Sequence, residues 1–94
     1  MRRKVRKFHV KARVVRILEE GTCPLGIEVG DEFDLSRNTP PLCHWAYNSI
    51  YPLMCIFAYN GTLPWGEDPD RTEFCCPDPN NPVVFEVWRE PESA

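Results

Sequence analysis

Hydrophobic and polar positions alternate from Phe8 onward, with Phe8, Val10, Ala12 and Val14 on one side and Lys7, His9, Lys11 and Arg13 on the other. A period of two is that of a strand with one buried face. At Val14-Val15 the phase slips and Ile17 continues on the new one, which predicts a bulge or a strong bend. Glu32–Leu35 predicts a short second strand with Phe33 and Leu35 inward, and Arg71–Cys75 a third. Val83–Arg89 predicts a fourth, in which Val83, Phe85 and Val87 alternate with Val84, Glu86 and Trp88.

Between Thr39 and Gly61 the period changes. Leu42, Ala46, Ile50, Leu53 and Phe57 recur at steps of three and four and form one apolar helical stripe. Thr39 reads as its N-cap, Pro40 and Pro41 as first-turn residues, and Gly61 as the left-handed C′ residue after Asn60. Pro52 removes one rung of the ladder, which predicts a kink or two helical pieces meeting near Tyr51. Turns are expected at Glu19–Thr22, Cys23–Gly26, Val29–Asp31 and Cys76–Pro82, and Trp65 is expected to anchor its loop on the core. The order β-β-α-β-β predicts an α+β fold: a small antiparallel sheet of about four strands, covered on one face by one Pro-kinked helix. Residues 1–94 read as a single domain, with 1–4 a basic arm and 91–94 a tail.

Charge changes this picture in one respect. Eight of the eleven Lys and Arg residues lie in Met1–Arg16, and all fourteen Asp and Glu residues follow it. The two parts carry +8 and −11, so the simplest expectation is that they match each other. Glu86 and Glu90 are placed to pair with the basic face of the first strand. The alternative, an anionic partner such as nucleic acid, is disfavoured by an overall pI of about 5.3 and by the lack of interleaved aromatics. Glu67, Asp68, Asp70 and Glu73 lack the glycine and spacing of a calcium loop and read as a solvated loop.

No apolar run reaches the roughly 20 residues of a membrane span, and no apolar segment follows the basic start as in a signal peptide. No membrane is therefore expected, and the cytoplasm is the expected compartment. There, five cysteines, an odd number, are free thiols, metal ligands or redox groups rather than a disulfide framework.

No Cys-x-x-Cys occurs, but Cys23, Cys43 and Cys76 all fall at element ends: in Cys-Pro-Leu-Gly, at the helix start, and in Cys-Pro-Asp-Pro. These three are the candidate metal ligands, for zinc or an iron–sulfur cluster, with His44 or His9 as a possible fourth. Cys43 also sits at the positive end of the helix, which favours the thiolate form. Cys55 is twelve residues further on, roughly 18 Å along a straight helix, and reads as a small buried hydrophobe. Cys75 and Cys76 point to opposite sides in extended chain, and Pro77 makes Cys76 the better candidate. Three readings stay open: a metal- or iron–sulfur-binding accessory protein, a non-catalytic interaction or oligomerisation module with structural thiols, and a thiol redox protein. Trp45, Tyr47, Tyr51 and Tyr59 exceed what one apolar stripe needs, so either the loops cover them or a second subunit does, and a homo-oligomer or a protein partner is expected. No catalytic triad, phosphate loop or carboxylate pair is present to name a reaction.

The succession Gly-Thr-Cys-Pro (21–24), Val-Gly-Asp-Glu-Phe (29–33), Thr-Pro-Pro-Leu-Cys (39–43), Tyr-Pro (51–52), Leu-Pro-Trp (63–65) and Cys-Pro-Asp-Pro-Asn-Asn-Pro-Val-Val-Phe-Glu (76–86) resembles a family of small prokaryotic proteins of about ninety residues with no established activity. The resemblance covers nearly the whole chain after the basic arm. It implies a shared role for Cys23, Cys43 and Cys76, and none for Cys55 or Cys75.

Overall fold

The structure, a computed structural model, describes residues 8–36 and 40–91; the arm 1–4, Thr39 and residues 92–94 lie outside the described residues. Strands β1 (Phe8–Ile17) and β2 (Glu32–Asp34) precede helix α1 (His44–Ala58), and β3 (Arg71–Cys75) and β4 (Val83–Pro91) follow it. The strands form one antiparallel sheet in the order β2-β1-β4-β3, and α1 packs against β1 and β4 on one face. The α+β expectation holds. Pro91, assigned above to a tail, belongs to β4, opposite Phe8.

The two longest strands lie at the centre because their inward residues are the most apolar. Ala12 stands opposite Phe33 on one side and Val87 on the other, and Val14 opposite Phe85. Val10, Ala12, Phe85 and Val87 are fully buried, and Ile50 and Phe57 of α1 close over them. Phe33 and Phe74 flank Phe85 at 6.2 and 6.3 Å between ring centres. The predicted bulge lies between Val14 and Arg16. Just there, Val14 donates to Asp31 O and accepts from Gly30 N, both at 2.9 Å, so the Val29–Asp31 turn supplies hydrogen bonds at the irregularity.

The outward face is ionic. Lys11 pairs with Glu90 at 3.1 Å, Arg13 with Glu86 at 3.4 Å, and Arg16 with Glu73 at 2.6 Å, while Arg71 also reaches Glu86. Glu73 and Glu86 are direct cross-strand neighbours, an unfavourable like-charge pair that these arginines neutralise. The expected match of the basic strand with Glu86 and Glu90 is present.

The ends of α1 differ from the expectation. The helix begins at His44, and its N-cap is Cys43, whose backbone is extended (φ −64, ψ 154) and whose sulfur accepts from Ala46 N–H at 3.4 Å. Pro40 and Pro41 lie outside the helix: a proline disfavours helical geometry in the residue before it, so the pair delays the start. At the far end Asn60, not Gly61, takes the left-handed conformation (φ 66). Gly61 N–H bonds Ile56 O at 2.7 Å and Asn60 N–H bonds Phe57 O at 3.4 Å, the paired bonds of a Schellman motif. Gly61 is needed for another reason, since a Cβ there would stand 2.9 Å from the Ile56 side chain. Through Pro52 the helix continues as one element. The carbonyl that Pro52 leaves without its helical partner is that of Asn48, and both residues are on the exposed side of the helix.

A thiol-lined cavity at the start of the helix

Three connections end at the same corner of the fold. In the first, Gly26 N–H bonds Cys23 O at 3.0 Å, with Pro24 fixing the second turn position and Gly26 at φ 85 turning the chain back. The second is the Cys43 cap. The third leaves β3 at Cys76, whose N–H bonds Val83 O at 2.9 Å while its sulfur accepts from Val83 N–H at 3.3 Å. Asp78 holds this loop in an Asx turn, its Oδ1 accepting from the N–H groups of Asn80 and Asn81 at 3.0 and 3.3 Å. Asn81 then ties the loop to the first connection, accepting from Thr22 N–H at 3.0 Å. Gly21 lies so close to Asn81 that a Cβ would stand 2.9 Å from its Cα.

Cys23, Cys43 and Cys76 thereby line one cavity of about 120 Å³, whose other walls include Pro24, Leu25, Trp45 and Val83. All three are half-buried free thiols. The sequence reasoning that chose them brought together residues from three separate segments. It missed Asp78 and Asn81 as the braces of the corner, although Asp-Pro-Asn-Asn is a turn signal of the right kind. The sulfurs share the cavity's wall rather than a common point: among the described residues, no group of three or more His, Cys, Asp and Glu side chains is arranged as it would be around a metal ion.

A more open groove lies on the other side of Cys43, lined by Leu25, Leu42, Cys43, His44 and Trp45. His44 opens onto this groove and is absent from the cavity lining. His9 is excluded as a fourth ligand. It stands opposite Glu90, and eight residues of β1, roughly 26 Å, separate it from Ile17, the partner of cavity-lining Val83.

The remaining cysteines stay apart from the cavity. Cys75 is exposed beside Arg16, although burial of its sulfur, with Cys76 adjoining, pushes the thiol above its ordinary value. Cys55 is half-buried and outside the core cluster, so its reading as a small buried hydrophobe is corrected; the nearby Cys55 thiol is the main cause that raises the Tyr51 phenol's pKa. Trp65 is 74 % exposed and anchors nothing, because Leu63 takes the place against the core.

The acidic loop is spent on structure. Asp70 pairs with Arg89, Asp68 caps Asp70 N–H, and Glu73 pairs with Arg16. No helix among the described residues is long and apolar enough to cross a membrane. Searches against protein-family models, curated proteins and solved structures return no match.

Proposed function

We propose that the protein is a small accessory protein that binds a soft metal ion, or an iron–sulfur cluster, through Cys23, Cys43 and Cys76. The observation that supports this reading is the convergence of three thiols from three connections on one cavity, in a chain that leaves all five cysteines unpaired. Two of the sulfurs already accept a backbone N–H, an arrangement that stabilises negative charge on a ligating thiolate. Ligation at about 2.3 Å would draw the sulfurs inward, so metal uptake is coupled to closure of the cavity. Reduced thiols of this kind belong in the cytoplasm. Metal analysis and an absorption spectrum of anaerobically purified protein test the reading. Bound metal that disappears in Cys43→Ser supports it, whereas metal-free protein of undiminished stability counts against it.

A second reading is favoured by the outer face of α1. The helix carries no Asp, Glu, Lys or Arg; Trp45, Tyr51 and Ile56 are exposed on it, and Tyr59 is exposed at its C-cap. We propose this face as a contact for a protein partner or a second copy of the chain. Light scattering across concentrations tests self-association; a monomer throughout removes it.

A further inference from the structure

We infer that the occupant of the outer face of α1 is a second copy of the chain, whose own α1 lies antiparallel across it. The inference rests on the contact reading proposed above and adds the partner and its geometry. Along the side of the helix turned away from buried Ala46, Ile50 and Phe57 stand Trp45, Asn48, Pro52, Cys55 and Tyr59. Their steps are three, four, three and four, the repeat of a seam on which two helices pack knobs into holes. All but half-buried Cys55 are exposed.

A hole lies beside that seam. An open groove is lined by His44, Tyr47, Asn48 and Tyr51, which are positions i, i+3, i+4 and i+7 of one helix. Four residues so spaced receive one side chain from a facing helix. The Tyr47 and Tyr51 rings brace each other in its lining, 5.7 Å apart between centres. The knob is Tyr59, 59 % exposed at the C-cap. It stands eight residues beyond Tyr51, roughly 12 Å along the axis, so it cannot fill the groove of its own helix. Hole and knob lie at opposite ends of α1, and an antiparallel copy brings each to the other. The contact then occurs twice about a two-fold axis and closes at a dimer. A parallel copy would set Tyr59 against Tyr59 and leave both grooves empty. Charge agrees with self-pairing. Each chain carries −3 at pH 7, yet α1 carries no Asp, Glu, Lys or Arg, so two copies meet here without opposing like charges.

The test is photo-crosslinking of the full chain carrying p-benzoylphenylalanine at position 59, run beside light scattering of the unaltered chain across concentrations. A dimer is expected, with the crosslink mapped by mass spectrometry to residues 44–51 of the second copy. Tyr59→Ser and Asn48→Glu, both at exposed positions, should each weaken the dimer by at least about tenfold while circular dichroism shows the fold intact. Glu90→Gln, on the outward face of the sheet, should associate as the unaltered chain does. A dimer whose crosslink falls on residues 56–59 of the second copy overturns the antiparallel geometry and leaves α1 as the contact face. A dimer that both variants leave equally tight overturns the pairing and the role of α1 in it. A monomer at every concentration overturns the second copy as occupant. Capture of a different protein by the probe in cells then leaves the contact reading standing, and capture of none overturns that reading as well.

Discussion

Arg89 is the one buried charged residue among those described, 7 % exposed, and it holds three parts of the molecule together. Its Nε pairs with Asp70 at 2.9 Å, its Nη1 bonds Phe57 O at 3.2 Å and Gly61 O at 2.8 Å, and its guanidinium lies between the Phe8 and Phe57 rings. The carbonyls it reaches include one at the helix end, so Arg89 also completes the C-terminal cap of α1. Arg89→Ala should cost about 3 kcal/mol in chemical unfolding, because it takes a donor from the Gly61 and Phe57 carbonyls, the latter still accepting from Asn60 N–H, and opens a gap between two rings. Arg89→Lys, lacking the planar fork, should recover only part of that. Glu20 offers the opposite case. It and Glu19 hold φ of 51 and 58 in the turn that Gly21 N–H closes onto Leu18 O. Residues with a Cβ pay for that geometry, so Glu20→Gly should raise stability by about 0.5–1 kcal/mol despite its gain in chain entropy.

At the scale of the element, the beginning of α1 matters most, because the N-cap and the candidate ligand are the same residue. Serine is a better cap than cysteine. Cys43→Ser should therefore leave the apo protein as stable as before or slightly more so, while Cys43→Ala should lower its stability by about 1 kcal/mol; thermal melts of the metal-free forms check both. The comparison matters to the functional proposal, since it makes Cys43→Ser a variant that alters ligation without loosening the helix. Of the stripe read from its spacing, Leu42, Ala46, Ile50 and Phe57 are buried, Leu53 is half-buried against them, and Leu42 lies just before the helix. The start of the helix was not readable, because Pro40-Pro41 fits both a first turn and an extended lead-in. What chose between them was the turn that brings Cys43 to the corner.

Across the whole molecule, the outward face of the sheet ties β1 to β4 and β3 through carboxylates. Glu73 is held below its ordinary pKa by a hydrogen bond from Arg16, and Glu90 by those from Lys11 and Trp88. A carboxyl lowered in the folded state stabilises the fold above its unfolded value, and that contribution is lost as pH falls through the folded one. The melting temperature should accordingly decline as pH drops below about 4.5, and the decline should be shallower in the double variant Glu73→Gln, Glu90→Gln. Near pH 7 both forms should show no pH dependence from these groups. Cys75 adds a reactivity prediction. Its thiol is raised, so near neutral pH it should alkylate more slowly than an unhindered exposed thiol, as mass spectrometry of iodoacetamide-treated protein would show.

Local sequence determined the elements. Strict alternation from Phe8, its slip at Val14-Val15, and the phase of Val83, Phe85 and Val87 are properties of neighbouring residues. The pleat turns them directly into faces, so four strands, a bulge and the inward residues could be read one segment at a time. Arg89 lies on that same inward phase and is buried, which the sequence reading did not mark; its partners, Asp70, Phe57 and Gly61, are ones that only folding brings near. The opposite error was Trp65, whose size suggests burial while its loop leaves it in water. Tertiary structure alone decided which thiols line one cavity. In sequence Cys43 is twenty positions after Cys23 and Cys76 thirty-three after Cys43, distances over which no periodicity survives. Their shared cavity depends on β1 and β4 lying side by side, on Asn81 bracing the Thr22 turn, and on the helix starting at His44.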